Sequence, residues 1–108
     1  MPGKAIVYNK LIRDRIPEII EASGKACRCE TLETDEYIVM LDAKLNEELA
    51  EYQESKSLEE LADLLEVMDA VVKARGWTWD ELTAVQKQKR EKRGGFEKRL
   101  LLKEVYGD

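Results

Sequence analysis

Apolar residues recur at helical spacing along most of the chain, with glycines, prolines and short polar breaks between the repeats. Ile38, Leu41, Leu45 and Tyr52 follow an a/d stripe, which predicts a helix from Thr34 or Asp35 to about Ser55. Ser57-Leu-Glu-Glu60 has the form of a capping box, so a further helix is expected to start there and to end near Ala74, before Gly76. That helix carries two apolar stripes side by side. Leu58, Leu61, Leu65, Met68 and Val72 form one, and Leu64, Val67 and Val71 form the other. A helix so apolar needs cover on two sides, which one short chain can hardly supply, and this predicts a homodimeric bundle with that helix at its centre. Thr78-Trp-Asp-Glu81 is a second capping box, opening a helix to about Lys92 that Gly94-Gly95 stops. Pro17 suits the first turn of a short helix through Ser23, with Gly24 as its stop. Cys27–Leu32 alternates loosely and reads as a strand, which the segment Phe96–Val105 is expected to join in a small two-stranded sheet. The expected architecture is therefore mainly α: an antiparallel helical bundle with a possible two-stranded β element, assembled as a homo-oligomer. Trp77 and Trp79, beside a helix start, are expected to pack the core.

The 108 residues make one domain, taken as 1–108, and 44% apolar residues with a net charge of −5 exclude intrinsic disorder. No apolar run approaches a membrane span, and the first 20 residues lack the apolar core of a signal peptide, so the expected compartment is the cytoplasm, with no membrane partner. Histidine is absent, which removes the commonest general base and His-ligated zinc. Cys27 and Cys29, one residue apart, are expected to be ordinary half-buried thiols, because zinc and thioredoxin-like motifs use two-residue gaps. Charge is distributed in blocks. Residues 30–66 hold thirteen acidic and two basic side chains, whereas residues 87–108 hold eight basic and four acidic. Such an acidic chain lacks the broad basic face of a nucleic-acid binder.

The acidic block has internal order. Glu48 with Glu51, and Glu60 with Asp63, are same-face pairs on successive helices. Only eight residues separate Glu51 from Glu60, so the helices must form a tight antiparallel hairpin. In that hairpin Glu51 falls opposite Glu60, and Glu48 opposite Asp63. Glu48 also occupies a stripe position where a bundle normally wants leucine. Four anions near an apolar seam repel one another and are poorly solvated unless a cation neutralises them, and an all-oxygen site suits Mg²⁺ or Mn²⁺. Two readings stay open on the residues alone. One is a metal centre, to which Glu66 could add a ligand. The other is a charged helix surface, in which Glu60 serves only as a capping partner.

The motif Glu47-Glu48-x-x-Glu51 followed by Glu60-x-x-Asp63 resembles the MazG-like nucleoside triphosphate pyrophosphohydrolase superfamily, which includes phosphoribosyl-ATP pyrophosphohydrolase. The opening Tyr8-Asn9-Lys10-Leu11-Ile12-Arg13-Asp14-Arg15-Ile16-Pro17 and the closing Lys92-Arg93-Gly94-Gly95-Phe96 look like its small stand-alone members. The resemblance implies a hydrolase that cleaves a nucleotide between its α and β phosphates. Glu48, Glu51, Glu60 and Asp63 would hold Mg²⁺. Glu47 would orient or deprotonate the attacking water, or else hold Lys44. The phosphates need cations, for which Lys10, Arg13 and Arg15, with Lys89, Arg90 and Arg93, are the candidate substrate contacts, and Asn9 is a further polar contact. Gly94-Gly95 is explained as a helix stop rather than a phosphate loop. The competing function is a non-catalytic dimeric helical interaction module. Dimer and tetramer are equally compatible with the sequence.

Overall fold

The computed structural model describes residues 4–107, in which the chain forms four helices in the order α1 (Ile16–Ala22), α2 (Thr34–Ser55), α3 (Leu58–Ala74) and α4 (Trp79–Arg93). Residues 1–3 and 108 of the expected domain lie outside the described part. No described helix is long and apolar enough to cross a membrane.

The ends of the elements follow local chemistry. Pro17 opens α1 within its first turn, and Gly24, at φ +90°, takes the left-handed conformation that ends it. Asp35 and Glu36 lie in the first turn of α2, where carboxylates complement the helix dipole. At its other end Lys56 adopts a left-handed φ of 57° and its N–H donates to the Tyr52 carbonyl, reversing the chain. Ser57 then caps α3, its hydroxyl accepting from the Glu60 N–H at 3.3 Å. Only half of the expected capping box forms here. The Ser57 N–H donates to the Ser55 hydroxyl instead, which leaves the Glu60 carboxylate free for other work. The Thr78 box is complete: Thr78 and Glu81 exchange bonds between side chain and backbone in both directions.

α2 and α3 pack as an antiparallel hairpin, α4 leans on α3, and α1 packs against no other helix. Among the described residues the buried hydrophobics of the thin core are Leu41 of α2 and Val67 and Val72 of α3, with Leu64 and Val71 half-buried beside them. At the far end of the hairpin the exposed Arg75 guanidinium donates to Asp42 at 2.9 Å. The other stripe of α3 faces outward except at Val72, with Leu58 81% and Leu65 50% exposed.

Several expectations fail within the single chain. Among the described residues there is no strand: Cys27–Leu32 has no regular structure, and after Gly95 the chain makes a turn in which the Arg99 N–H donates to the Phe96 carbonyl at 3.1 Å before running on irregularly. A two-stranded ribbon is marginal without a surface to pack on, and this chain offers neither segment such a surface. The two thiols are consequently exposed rather than half-buried, with their sulfurs 4.0 Å apart. Trp77 and Trp79 are exposed rather than in the core, because α4 makes little contact with α3 and no other element covers them. The radius of gyration is 19.4 Å and the longest extent 72 Å. A compact chain of this length would have a radius of about 13 Å.

Candidate functional site

The carboxylates converge where the hairpin closes. One oxygen each from Glu48, Glu60 and Asp63 lie within 4.8 Å of one another, as do oxygens of Glu47, Glu48 and Glu51. Glu48 belongs to both groups and is the hinge of the cluster. It comes from the apolar stripe of α2, and is therefore drawn in with Leu41 and Leu45 to only 7% exposure. Its Oε2 has no hydrogen-bond partner, and neither does the Oε2 of Glu60. Its Oε1 is 3.5 Å from the Lys44 ammonium.

The electrostatics follow from this crowding. Burial, and then the neighbouring Glu51 carboxylate, push the Glu48 pKa above its ordinary value despite Lys44. Glu60 is also pushed up, first by desolvation and then by Glu51 and Asp63. Glu47 goes the other way. Burial opposes its ionisation, but hydrogen bonds from Lys10 and Lys44, each 3.2 Å from the same oxygen, hold it below the usual carboxylate range. The same contact raises Lys10.

The donor set fits a small divalent cation. Oxygens on one octahedral Mg²⁺ lie about 2.9 Å apart when adjacent and about 4.1 Å when opposite, so side-chain adjustments of about 1 Å would bring this cluster into range. Two buried carboxylate oxygens without any partner are costly features where the other buried side-chain groups among the described residues are satisfied. Glu66 does not belong to the cluster. It lies on the outer face of α3, in an open hollow with Leu65, Asp69 and Trp79.

The candidate cations divide into sets. The segment before α1 runs past the hairpin and places Lys10 on Glu47 and the Arg13 guanidinium on Asp63, at 2.7 Å. Asn9 takes a left-handed φ of 49°, a conformation asparagine tolerates, and turns the chain just before Lys10. Arg15 is directed away and pairs with Glu18 at 3.1 Å. Lys89, Arg90 and Arg93 line a separate open hollow of about 640 Å³ at the end of α4, with Gln86, Phe96 and Glu97. None of the three forms an ion pair among the described residues. Lys44 on Glu47 follows from their three-residue spacing. Arg13 on Asp63 spans fifty positions and has no local signal.

In comparisons with known proteins, a stretch of 42 residues, 39% of this chain, is 60% identical to an uncharacterized protein of Mycolicibacterium smegmatis. The stretch spans 43% of that relative. No protein-family description matches the chain. No solved structure matches it either.

Proposed function

We propose that the chain is a Mg²⁺-dependent nucleotide pyrophosphohydrolase of the MazG-like type, acting as a homo-oligomer in the cytoplasm and producing a nucleoside monophosphate, or phosphoribosyl-AMP, and pyrophosphate. The observation that carries this reading is the buried, partnerless Oε2 of Glu48 inside a ring of carboxylates from two helices. A charged helix surface has no reason to bury its central carboxylate. Glu48, Glu51, Glu60 and Asp63 would hold Mg²⁺, with Mn²⁺ as a substitute. The bound ion would supply neutralisation of phosphate charge and a bound water of lowered pKa.

The chain's own residues supply binding and orientation. In the reaction the water oxygen forms a bond to the α phosphorus and gives up a proton to solvent, and the bond to the bridging oxygen breaks, so that pyrophosphate leaves with the electron pair. Arg13 and Lys10 are held at the cluster by exposed ion pairs, which are weak enough for phosphate oxygens to displace. Glu47, a poor base at its lowered pKa, is assigned to positioning Lys10 and Lys44. Glu48 unites the two halves of the cluster and is the residue on which turnover depends most. A non-catalytic dimeric helical module is the second reading, favoured by the bare apolar stripe of α3.

Pyrophosphate release from a panel of nucleotides, with Mg²⁺ or Mn²⁺, separates the two. The enzyme reading expects turnover that chelation removes and that Glu48→Gln or Asp63→Asn abolishes while the circular dichroism stays helical. Unchanged rates in those variants, or no release from any nucleotide, would leave the interaction module.

A further inference from the structure

The carboxylate cluster leaves the softest donors of the chain unused. Cys27 and Cys29 stand on the irregular segment between α1 and α2, and both thiols are free and exposed. The Cys29 thiol donates to the Cys27 sulfur across 4.0 Å, so the two side chains are turned toward one another. Their spacing accounts for this, because side chains two apart on an extended backbone share a face. The closeness also affects their chemistry. Desolvation, and then the hydrogen bond and charge of Cys29, push the Cys27 thiol above its ordinary value.

Two sulfurs at this separation can either join or hold an ion between them, and the distances discriminate. A disulfide needs them at about 2.05 Å, so they would have to close by about 2 Å into a ring that spans one intervening residue. A shared ion needs almost no movement. With thiolate–metal bonds of about 2.3 Å, sulfurs 4.0 Å apart subtend an angle of about 120° at the ion, wider than the tetrahedral angle. The rest of the donor set decides which ion. A structural zinc site takes four ligands, but the chain has no histidine and no further cysteine. Among the described residues no carboxylate completes a group of three ligands with the two sulfurs. Two soft sulfurs without hard donors beside them suit a low-coordinate, thiophilic cation, and among first-row metals that is Cu(I). Lys25 and Arg28 lie beside the pair in the sequence, and their charge favours the anionic complex that two thiolates make with a monovalent ion.

We infer that Cys27 and Cys29 form a chelating site for one Cu(I) ion, distinct from the carboxylate cluster and independent of the nucleotide reading. On binding, each thiol gives its proton to solvent and each sulfur donates an electron pair to the ion, which stays monovalent, so two protons leave for each copper bound. The same two bonds close residues 27–29 into a small ring and fix a segment that has no regular structure of its own.

Anaerobic transfer of Cu(I) to the full chain from a coloured copper chelator tests the assignment. The wild type is expected to withdraw one copper per chain and to show two sulfur neighbours in X-ray absorption. Because the second bond is made within one molecule, losing either sulfur should weaken binding on the order of a hundredfold. Cys27→Ser and Cys29→Ser should therefore each bind almost as poorly as the double variant. Circular dichroism should stay helical in all three, since neither residue lies in a helix. Glu48→Gln, which dismantles the carboxylate cluster, should take up copper as the wild type does. A wild type that withdraws no copper, or single-serine variants that bind as tightly as the wild type, overturns the inference. One copper for every two chains would mean that the sulfurs of separate chains share the ion, and overturns the chelate within one chain. Zinc held at these thiols in preference to Cu(I) overturns the choice of metal.

Discussion

Replacing Glu48 by glutamine should make the metal-free protein more stable while destroying its response to magnesium. The side chain is 7% exposed, one of its oxygens has no partner, and Glu51, Glu60 and Asp63 crowd it. A buried polar group left unsatisfied costs about 1 to 3 kcal/mol, and more when charged. Glutamine keeps the shape, removes the charge and gives the neighbouring carboxylates an N–H donor. The loss is the contact with Lys44 at 3.5 Å, a pair four residues apart on one helix and worth about 0.5 kcal/mol. The balance favours the variant by about 1 kcal/mol, or about 4 to 8 °C in Tm for a chain of this size. Because the folded-state pKa of Glu48 is raised, the native state holds a proton that the unfolded state releases, so the wild type gains stability as pH falls from neutrality toward the ordinary carboxylate pKa. The advantage of the variant should shrink over the same range. Magnesium at ten times its dissociation constant should stabilise the wild type by about 1.4 kcal/mol and leave the variant almost unmoved. The assay is thermal unfolding at fixed protein concentration, in chelator and then in magnesium, at two pH values. A glutamine variant that melts below the wild type in chelator at neutral pH, or equal magnesium shifts in both proteins, would refute the reasoning.

Other outcomes follow from individual contacts. Lys56→Gly should raise stability by about 0.5 kcal/mol in denaturant titration, because lysine pays for its left-handed φ of 57° and glycine does not, less the contacts that Lys56 makes with Gln53 and Tyr52. Thr78→Ala should cost about 1 kcal/mol by the same measure, since both halves of its capping box are formed. Arg13→Ala should lower kcat/KM about tenfold in a pyrophosphate-release assay with little change in Tm, because its ion pair with Asp63 is exposed and contributes little to folding.

The helical part of the architecture was readable wherever chemistry is local. Periodicity placed α2 and α3, and Thr78 and Gly24 marked ends that the structure reproduces. The convergence of Glu48 with Glu60 and Asp63 was also readable, because a short hairpin converts sequence spacing into spatial pairing. Three features could not be read. The strand at Cys27–Leu32 depends on a surface that one chain does not provide. The Trp77 and Trp79 rings are expected in a core from their place beside a helix start, although their burial depends on how closely α4 follows α3. The placement of Arg13 on Asp63 is set by the path of an irregular segment that no periodicity governs.

The connection between α2 and α3 consists of Lys56 and Ser57 alone, and its shortness serves as a gauge. Each residue added in the first turn of α3, ahead of Glu60, would turn Glu60 and Asp63 by about 100° and shift them by about 1.5 Å relative to the start of that helix. A single insertion would therefore carry Glu60 and Asp63 round the helix and away from Glu48, with every ligand still in the sequence. Variation in this family of hairpins should be tolerated at the far end, beyond Arg75, and resisted between the two-residue bend and Glu60.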